Sequence, residues 1–282
     1  MKRKLVGMVG LTLIATLFAG CVPGGQGIKI TSMSGEAPSW VPRYEGKVDY
    51  LPPTRLRVGA PVNMVCRMKS FTVNPAGALS DFSKFKAEYT SALKGQNVEV
   101  NYVMEIDASK WKITADVSTD GEVHQSHVKT VSSADNNAKL IEMMENVMSI
   151  GVEALLMYTG IELSSGKNMT NLISKMTANF VGSLPSDFRK FFSDIQMSGF
   201  VTVLGQTTKN GREYVVVKNY FTARLSSPEQ KNKFFGGKFG GYSFIDKKTG
   251  LETLKETATI MSEGTSDGSE NVARQSQRCE FH

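Results

Sequence analysis

Between Val98 and Ile106 the apolar residues Val98, Val100, Tyr102, Met104 and Ile106 occupy every second position, with Glu99, Asn101 and Glu105 between them. The same period of two resumes at Trp111, Ile113, Ala115 and Val117, set against Lys110, Lys112, Thr114 and Asp116. This predicts two half-buried strands, each with one dry face and one wet face. Asp120-Gly121 then marks a two-residue turn into a third strand over 122–131. Upstream the spacing differs. Leu79, Phe82, Phe85, Tyr89 and Leu93 recur every three or four residues, with Ser80 near the start and Gly95 past the end, which predicts an amphipathic helix.

Downstream the pattern predicts a helical block. From Lys139 to Tyr158 only a narrow stripe of Lys139, Glu142, Glu145, Ser149 and Glu153 is polar, so the helix needs cover on most of its circumference. A second helix is marked by Met169, Leu172, Ile173, Met176 and Phe180, and a third, opened by Pro185, by Phe188, Phe191, Phe192 and Ile195. Strands return over 200–208 and 212–223 around Asn210-Gly211, and over 242–245 and 251–261 around Asp246-Lys247-Lys248-Thr249-Gly250. Residues 224–241 read as a basic, Gly-rich loop. Antiparallel strands interrupted by helices predict an α+β fold: a meander sheet with a helical block packed on one face. The single domain spans 58–261. It follows a Pro- and Gly-rich tether over 21–57 and precedes a loose polar tail over 262–282.

The first residues read Met1-Lys2-Arg3-Lys4, then an apolar run from Leu5 to Phe18, then Ala19-Gly20-Cys21. A basic start, a core too short for the ~20 apolar residues of a membrane span, and small residues have the layout of a secretory signal. Leu17-Phe18-Ala19-Gly20-Cys21 resembles the lipobox of bacterial lipoproteins. The resemblance implies that residues 1–20 are removed and that Cys21 carries acyl chains, several of which give lasting attachment at ~0.8 kcal/mol per buried methylene. It also implies an outer-membrane address facing the periplasm, because Val22 stands where an aspartate signals inner-membrane retention. Cleavage by an ordinary signal peptidase, giving a soluble secreted protein, is the alternative. The lipobox, the strand-helix-strand order and the Asp-x-x-Thr-Gly turn within Tyr242 to Leu251 are together similar to half-barrel envelope lipoproteins and lipoprotein carriers. That resemblance implies a curved sheet cupping helices around an apolar cavity.

Charge and cysteine content narrow the partners. The formal charge of +6 falls to +3 when Lys2, Arg3 and Lys4 leave with the signal. No basic run with interleaved aromatics occurs, so nucleic acid is not an expected partner. Cys66 and Cys279 remain besides Cys21. In an oxidising compartment they form a disulfide tying the start of the domain to its tail, or else stay as two thiols held apart.

Catalytic chemistry is sparse. In a hairpin centred on Asp120-Gly121, residue 124 pairs with 117 and 127 with 114, so His124 and His127 fall on opposite faces and share no metal. There is no G-x-S-x-G elbow, the carboxylates of Glu142 and Glu145 lie on the solvated stripe, and no cofactor is implied. The glycines from Gly236 to Gly241 lack the strand-then-helix setting of a phosphate cradle. That segment reads as a mobile hairpin loop. The functional alternative is an aromatic-basic tip in which Phe234, Phe235, Phe239 and Lys238, with Lys231 and Lys233 beside them, touch a membrane or an anionic partner. Methionines in the helical block either fill a core or soften a pocket. Two readings follow. One is a non-enzymatic, membrane-anchored envelope lipoprotein binding an acyl chain or other apolar ligand in a cavity lined by Trp111, Ile113, Met144, Met148, Leu155, Met176 and Phe180. The other is a protein-binding scaffold of the envelope that uses the 234–239 loop.

Overall fold

A computed structural model describes residues 28–32, 36–73, 79–133, 141, 142, 145, 148, 151–172, 194–226, 234–263 and 271–282. The strands in chain order are β1 (Ile28–Ser32), β2 (Thr54–Arg55), β3 (Val62–Val73), β4 (Leu79–Lys94), β5 (Asn97–Ile106), β6 (Ser109–Ser118) and β7 (Val123–Ser132). After helix α1 (Gly151–Leu155) come β8 (Glu162–Leu163), β9 (Asp194–Lys209), β10 (Arg212–Ser226), β11 (Phe234–Asp246), β12 (Glu252–Glu263) and β13 (Asn271–Phe281). β2 and β8 pair with each other. The remaining strands form one eleven-stranded sheet in the order β1-β9-β10-β11-β12-β13-β3-β4-β5-β6-β7. Every neighbouring pair is antiparallel except β1 on β9. The sheet is therefore two meanders, joined where the last strand, β13, lies beside β3.

This overturns the α+β expectation. Among the described residues the chain is an antiparallel all-β sheet with one short helix, not a sheet under a helical block. Helical backbone is described at 141, 142, 145 and 148, in α1 and over 170–172; 156–158 form a turn and 169 is irregular, and the remaining positions of the first and second predicted helices lie outside the described residues. Most of the third does too, and its last two positions, Asp194 and Ile195, open β9.

The segment read as a helix over 79–93 is strand β4. Ala87, Tyr89 and Ser91 are buried while Glu88, Thr90 and Ala92 are exposed, so the operative period is two. Small Ala87 and Ser91 hold core positions, and a count of large apolar residues passes over them. The tail is also structured, for β13 pairs with β12 on one side and β3 on the other. The expected tether is part of the domain from Ile28 onward: β1 lies on β9, and Ala37, Val41, Leu51 and Leu56 are buried. The expected loop at 224–241 is mostly strand. Gly240 and Gly241 serve close packing, since a Cβ at Gly241 would run into the Glu256 carbonyl of β12 and one at Gly240 would press on the Asn219 carbonyl.

The free edge of β9 is covered in succession by β1 along 195–199, by Asn168 opposite Thr202 and by Asp49 opposite Gln206. On the face we call inner, residues of β3 to β6 such as Met64, Tyr89, Val100, Tyr102 and Ile113 pack against Met148, Val152 and Leu156. On the opposite face, the segment over 36–50 covers β9 to β11: Ala37 and Val41 pack on Phe200 and Tyr220, and Tyr44 and Val48 on Tyr214, Val216 and Phe244. The β11–β12 turn is built by Asp246. Its Oδ1 accepts from the Thr249 N–H and hydroxyl, each at 2.8 Å, and its Oδ2 accepts from Arg212 Nε at 2.9 Å. Gly250 closes the turn at φ +72°, a left-handed conformation that suits glycine.

Candidate functional site

The inner face brings together four of the seven residues expected to line a cavity. Trp111 and Ile113 project from β6, Met148 and Leu155 from the helical segment, and all four belong to one apolar cluster. Trp111 is 5% exposed and Ile113 and Met148 0%, so in this state they close on one another. Met144, Met176 and Phe180 lie outside the described residues, as does Cys21.

Further across the sheet, on β10 to β12, the same face turns polar. The register sets Val217 beside Ser243 and Ser243 beside Lys255, with Lys255 opposite Gln277. One row along, Asn219 lies beside Gly241 and Gly241 beside Thr257. Asn219, Ser243, Lys255 and Thr257 are all buried. Six buried polar atoms have no hydrogen-bond partner among the described residues, and four of them lie on this face: Asn219 Oδ1, Ser243 Oγ and, on the apolar side, Tyr89 Oη and Trp111 Nε1. Buried polar groups are nearly always paired, so an orphaned set on one face calls for a physical reason.

At the boundary between the two zones sits an ion pair. Lys255 Nζ lies 3.5 Å from Glu252 Oε2, with side chains 9% and 17% exposed. Burial pushes the hydroxyls of Tyr102 and Tyr158 far above the ordinary tyrosine range, and the Glu252 carboxylate adds to the rise in both. Burial also pushes Tyr89 up to about 12, with Ser91 pulling weakly the other way. Cys66 and Cys279 face each other across β3 and β13 and are joined as a disulfide, beside which Gln277 Nε2 lies 3.6 Å from Cys279 Sγ.

Sequence reasoning passed over Glu252, Lys255, Tyr158, Asn219 and Ser243. The available signal was weak: Thr253, Lys255, Thr257 and Thr259 make alternate positions of β12 polar, which reads as a wet face, yet all four are buried.

The aromatic-basic tip is only partly assembled. Phe239 is buried, stacked on Phe221 with ring centroids 5.2 Å apart, so it is no contact residue. Phe234 and Phe235 stand at the start of β11 opposite Ser226 and Leu225, and Lys238 is exposed opposite Thr222. Lys231 and Lys233 lie outside the described residues. The histidines follow the predicted hairpin with one change. His127 pairs with Thr114, but a bulge sets Val117 opposite Val123 instead of His124. Both rings are exposed on β7, where Gln125 lies 2.9 Å from His127 Nε2. Among the described residues no three His, Cys, Asp or Glu side chains converge as metal ligands, and no helix is long and apolar enough to cross a membrane. No protein-family model and no curated protein matches the chain.

Proposed function

We propose that the chain is a non-enzymatic, membrane-anchored envelope lipoprotein, held by acyl chains on Cys21 at the periplasmic side of the outer membrane, whose sheet interior receives an acyl chain. The observation that carries this reading is that the inner face holds both an apolar and a polar surface. Trp111, Ile113, Met148 and Leu155 form an apolar floor. Asn219 Oδ1, Ser243 Oγ and the buried Lys255 form a polar lane on β10 to β12 of the same face. An amphiphile satisfies both at once, its chain replacing apolar contacts and its head group accepting from the Ser243 hydroxyl and the Lys255 ammonium and, when protonated, donating to Asn219 Oδ1. The Cys66–Cys279 disulfide suits a compartment outside the cytoplasm. Entry requires Met148 and Leu155 to lift from β6. The flexible thioether of Met148 suits it to that movement.

The test has two arms. Alkyne-palmitate fed to expressing cells is expected to label the wild-type chain and not Cys21→Ala. Native mass spectrometry of protein purified without detergent and incubated with palmitate is expected to show one added fatty chain, lost in Ile113→Trp, which fills the floor. An unlabelled wild-type chain removes the anchor, and a wild-type protein that takes up no palmitate removes the ligand.

A further inference from the structure

At one end of the sheet the β9–β10 turn and the β11–β12 turn lie side by side, held by the Lys247 N–H, which donates to the Glu213 carbonyl at 3.0 Å. They border an open cleft of about 530 Å³, lined by Gly211, Arg212, Glu213, Asp246, Lys247 and Lys248. That volume lies within the roughly 300–1,000 Å³ of small-molecule sites. Apart from Gly211 every lining residue is charged, so an acyl chain gains nothing here.

Three cations line the cleft with two carboxylates, and the carboxylates are already occupied. Asp246 is 1% exposed and accepts from Thr249 through Oδ1 and from Arg212 through Oδ2. Glu213, at the exposed rim, lies 3.3 Å from Lys247 Nζ, which also donates to Gln206 Oε1 at 2.9 Å.

Arg212 is gripped on two sides. Its Nε donates to Asp246, and its Cζ lies 3.5 Å from the centroid of the Phe281 ring. The bond to Asp246 runs through Nε alone, so the two terminal amino groups are not spent on it. Those groups form the fork that takes an oxyanion in two parallel hydrogen bonds. A guanidinium already fixed by a buried carboxylate and an aromatic ring has little freedom left to lose on binding. Lys248, next along the lining, is exposed and makes no ion pair among the described residues.

We propose that this cleft binds a small soluble phosphomonoester, with two phosphate oxygens on the Arg212 fork and the third on Lys248. A carboxylate has one charge and two oxygens, whereas a phosphomonoester brings about −1.5 to −2 and three, which matches a fork plus a separate ammonium. Glu213 at the rim repels a second phosphate and accepts from hydroxyls on the organic part. The site is separate from the inner face, so it stands or falls independently of the acyl-chain reading.

Full-length protein labelled with ¹⁵N is titrated with glycerol 3-phosphate at neutral pH, with ionic strength held constant by chloride. The amides of Gly211 and Lys248 are expected to shift and saturate, and acetate is expected to bind about tenfold more weakly. Arg212→Lys keeps the charge without the fork and is expected to weaken binding about tenfold. Lys248→Gln, at an exposed position that holds no other element, is expected to weaken it several-fold with an unchanged unfolding midpoint. Shifts that never saturate, or that acetate reproduces at equal concentration, overturn the site. So does binding that survives Lys248→Gln undiminished. Dihexanoyl phosphatidate, a water-soluble lipid with the same phosphate, is expected to bind no tighter than glycerol 3-phosphate. Binding about tenfold tighter would put the phosphate on a lipid and overturn the soluble ligand.

Discussion

The two meanders solve the same problem differently. In β5 buried and half-buried residues alternate without a break from Asn97 to Ile106, because among the described residues only the inner face is covered. In β10 the run Tyr214-Val215-Val216-Val217 is buried throughout, because the 36–50 segment lies on the second face. The number of faces a strand must bury is thus written in its own residues: strict alternation for one, an unbroken apolar run for two. What differs between the halves is not the strand but what the rest of the chain lays over it.

The comparison breaks most directly at paired positions on the non-inner face. Val216→Lys places an unpaired ammonium under Tyr44 and Val48 and is expected to cost about 3–5 kcal/mol. Val103→Lys, half-buried on β5 where no described segment covers it, is expected to stay within about 0.5 kcal/mol. Urea midpoints of the two variants decide it, and equal losses would mean that the second face of β10 is not sealed. Next in size is the seam between the meanders. Cys66→Ser with Cys279→Ser removes a bond that closes a loop with a sequence separation of 213, and a loss of about 2–5 kcal/mol is expected. Wild-type protein whose midpoint is unmoved by a reducing agent would show that the β13–β3 hydrogen bonds alone hold the halves together.

A smaller effect is confined to the one-sided half and appears only in alkali. Tyr89, fully buried, keeps its proton up to about pH 12, whereas the unfolded chain releases it near 10. The raised folded value means that its contribution is complete below pH 10 and is lost as pH rises toward 12. The decline amounts to roughly 1.4 kcal/mol per pH unit for this one group. Tyr89→Phe is expected to reduce the slope of stability against pH in that window by about one proton. An unchanged slope would show that Tyr89 reaches water in the folded state.

The same contrast explains what was legible in the sequence. β5, β6 and the turns at Asp120, Asn210 and Asp246 follow from alternation and turn chemistry, because each depends on residues next to one another. β4 was hidden because Ala87 and Ser91 occupy core positions without looking apolar. β13 was hidden because Gln275, Ser276 and Gln277 are strand residues only by virtue of β12 and β3 on either side. The site divides in the same way. Trp111 and Ile113 could be read from their strand, whereas Lys255 and Asn219 look like surface residues until the inner face is seen to be covered.

The finest distinction lies between two glycines required for different reasons, one in each half. Gly95 turns β4 into β5 at φ +64° with open space where a Cβ would go, so only its conformation matters. Gly241 sits between β10 and β12, where a Cβ would collide with the Glu256 carbonyl, so only its size matters. Alanine should hurt both, by about 1–2 kcal/mol at 95 through the left-handed backbone and about 1–3 kcal/mol at 241 through overpacking. Asparagine separates them. It tolerates the left-handed region, so Gly95→Asn is expected to recover most of what Gly95→Ala loses, while the larger side chain makes Gly241→Asn worse than Gly241→Ala. Thermal unfolding of the four variants reads this as a reversal of rank between the two sites. The same rank at both would mean that Gly241 lies in slack backbone, and the close packing assigned to the two-sided half would fail at its tightest point.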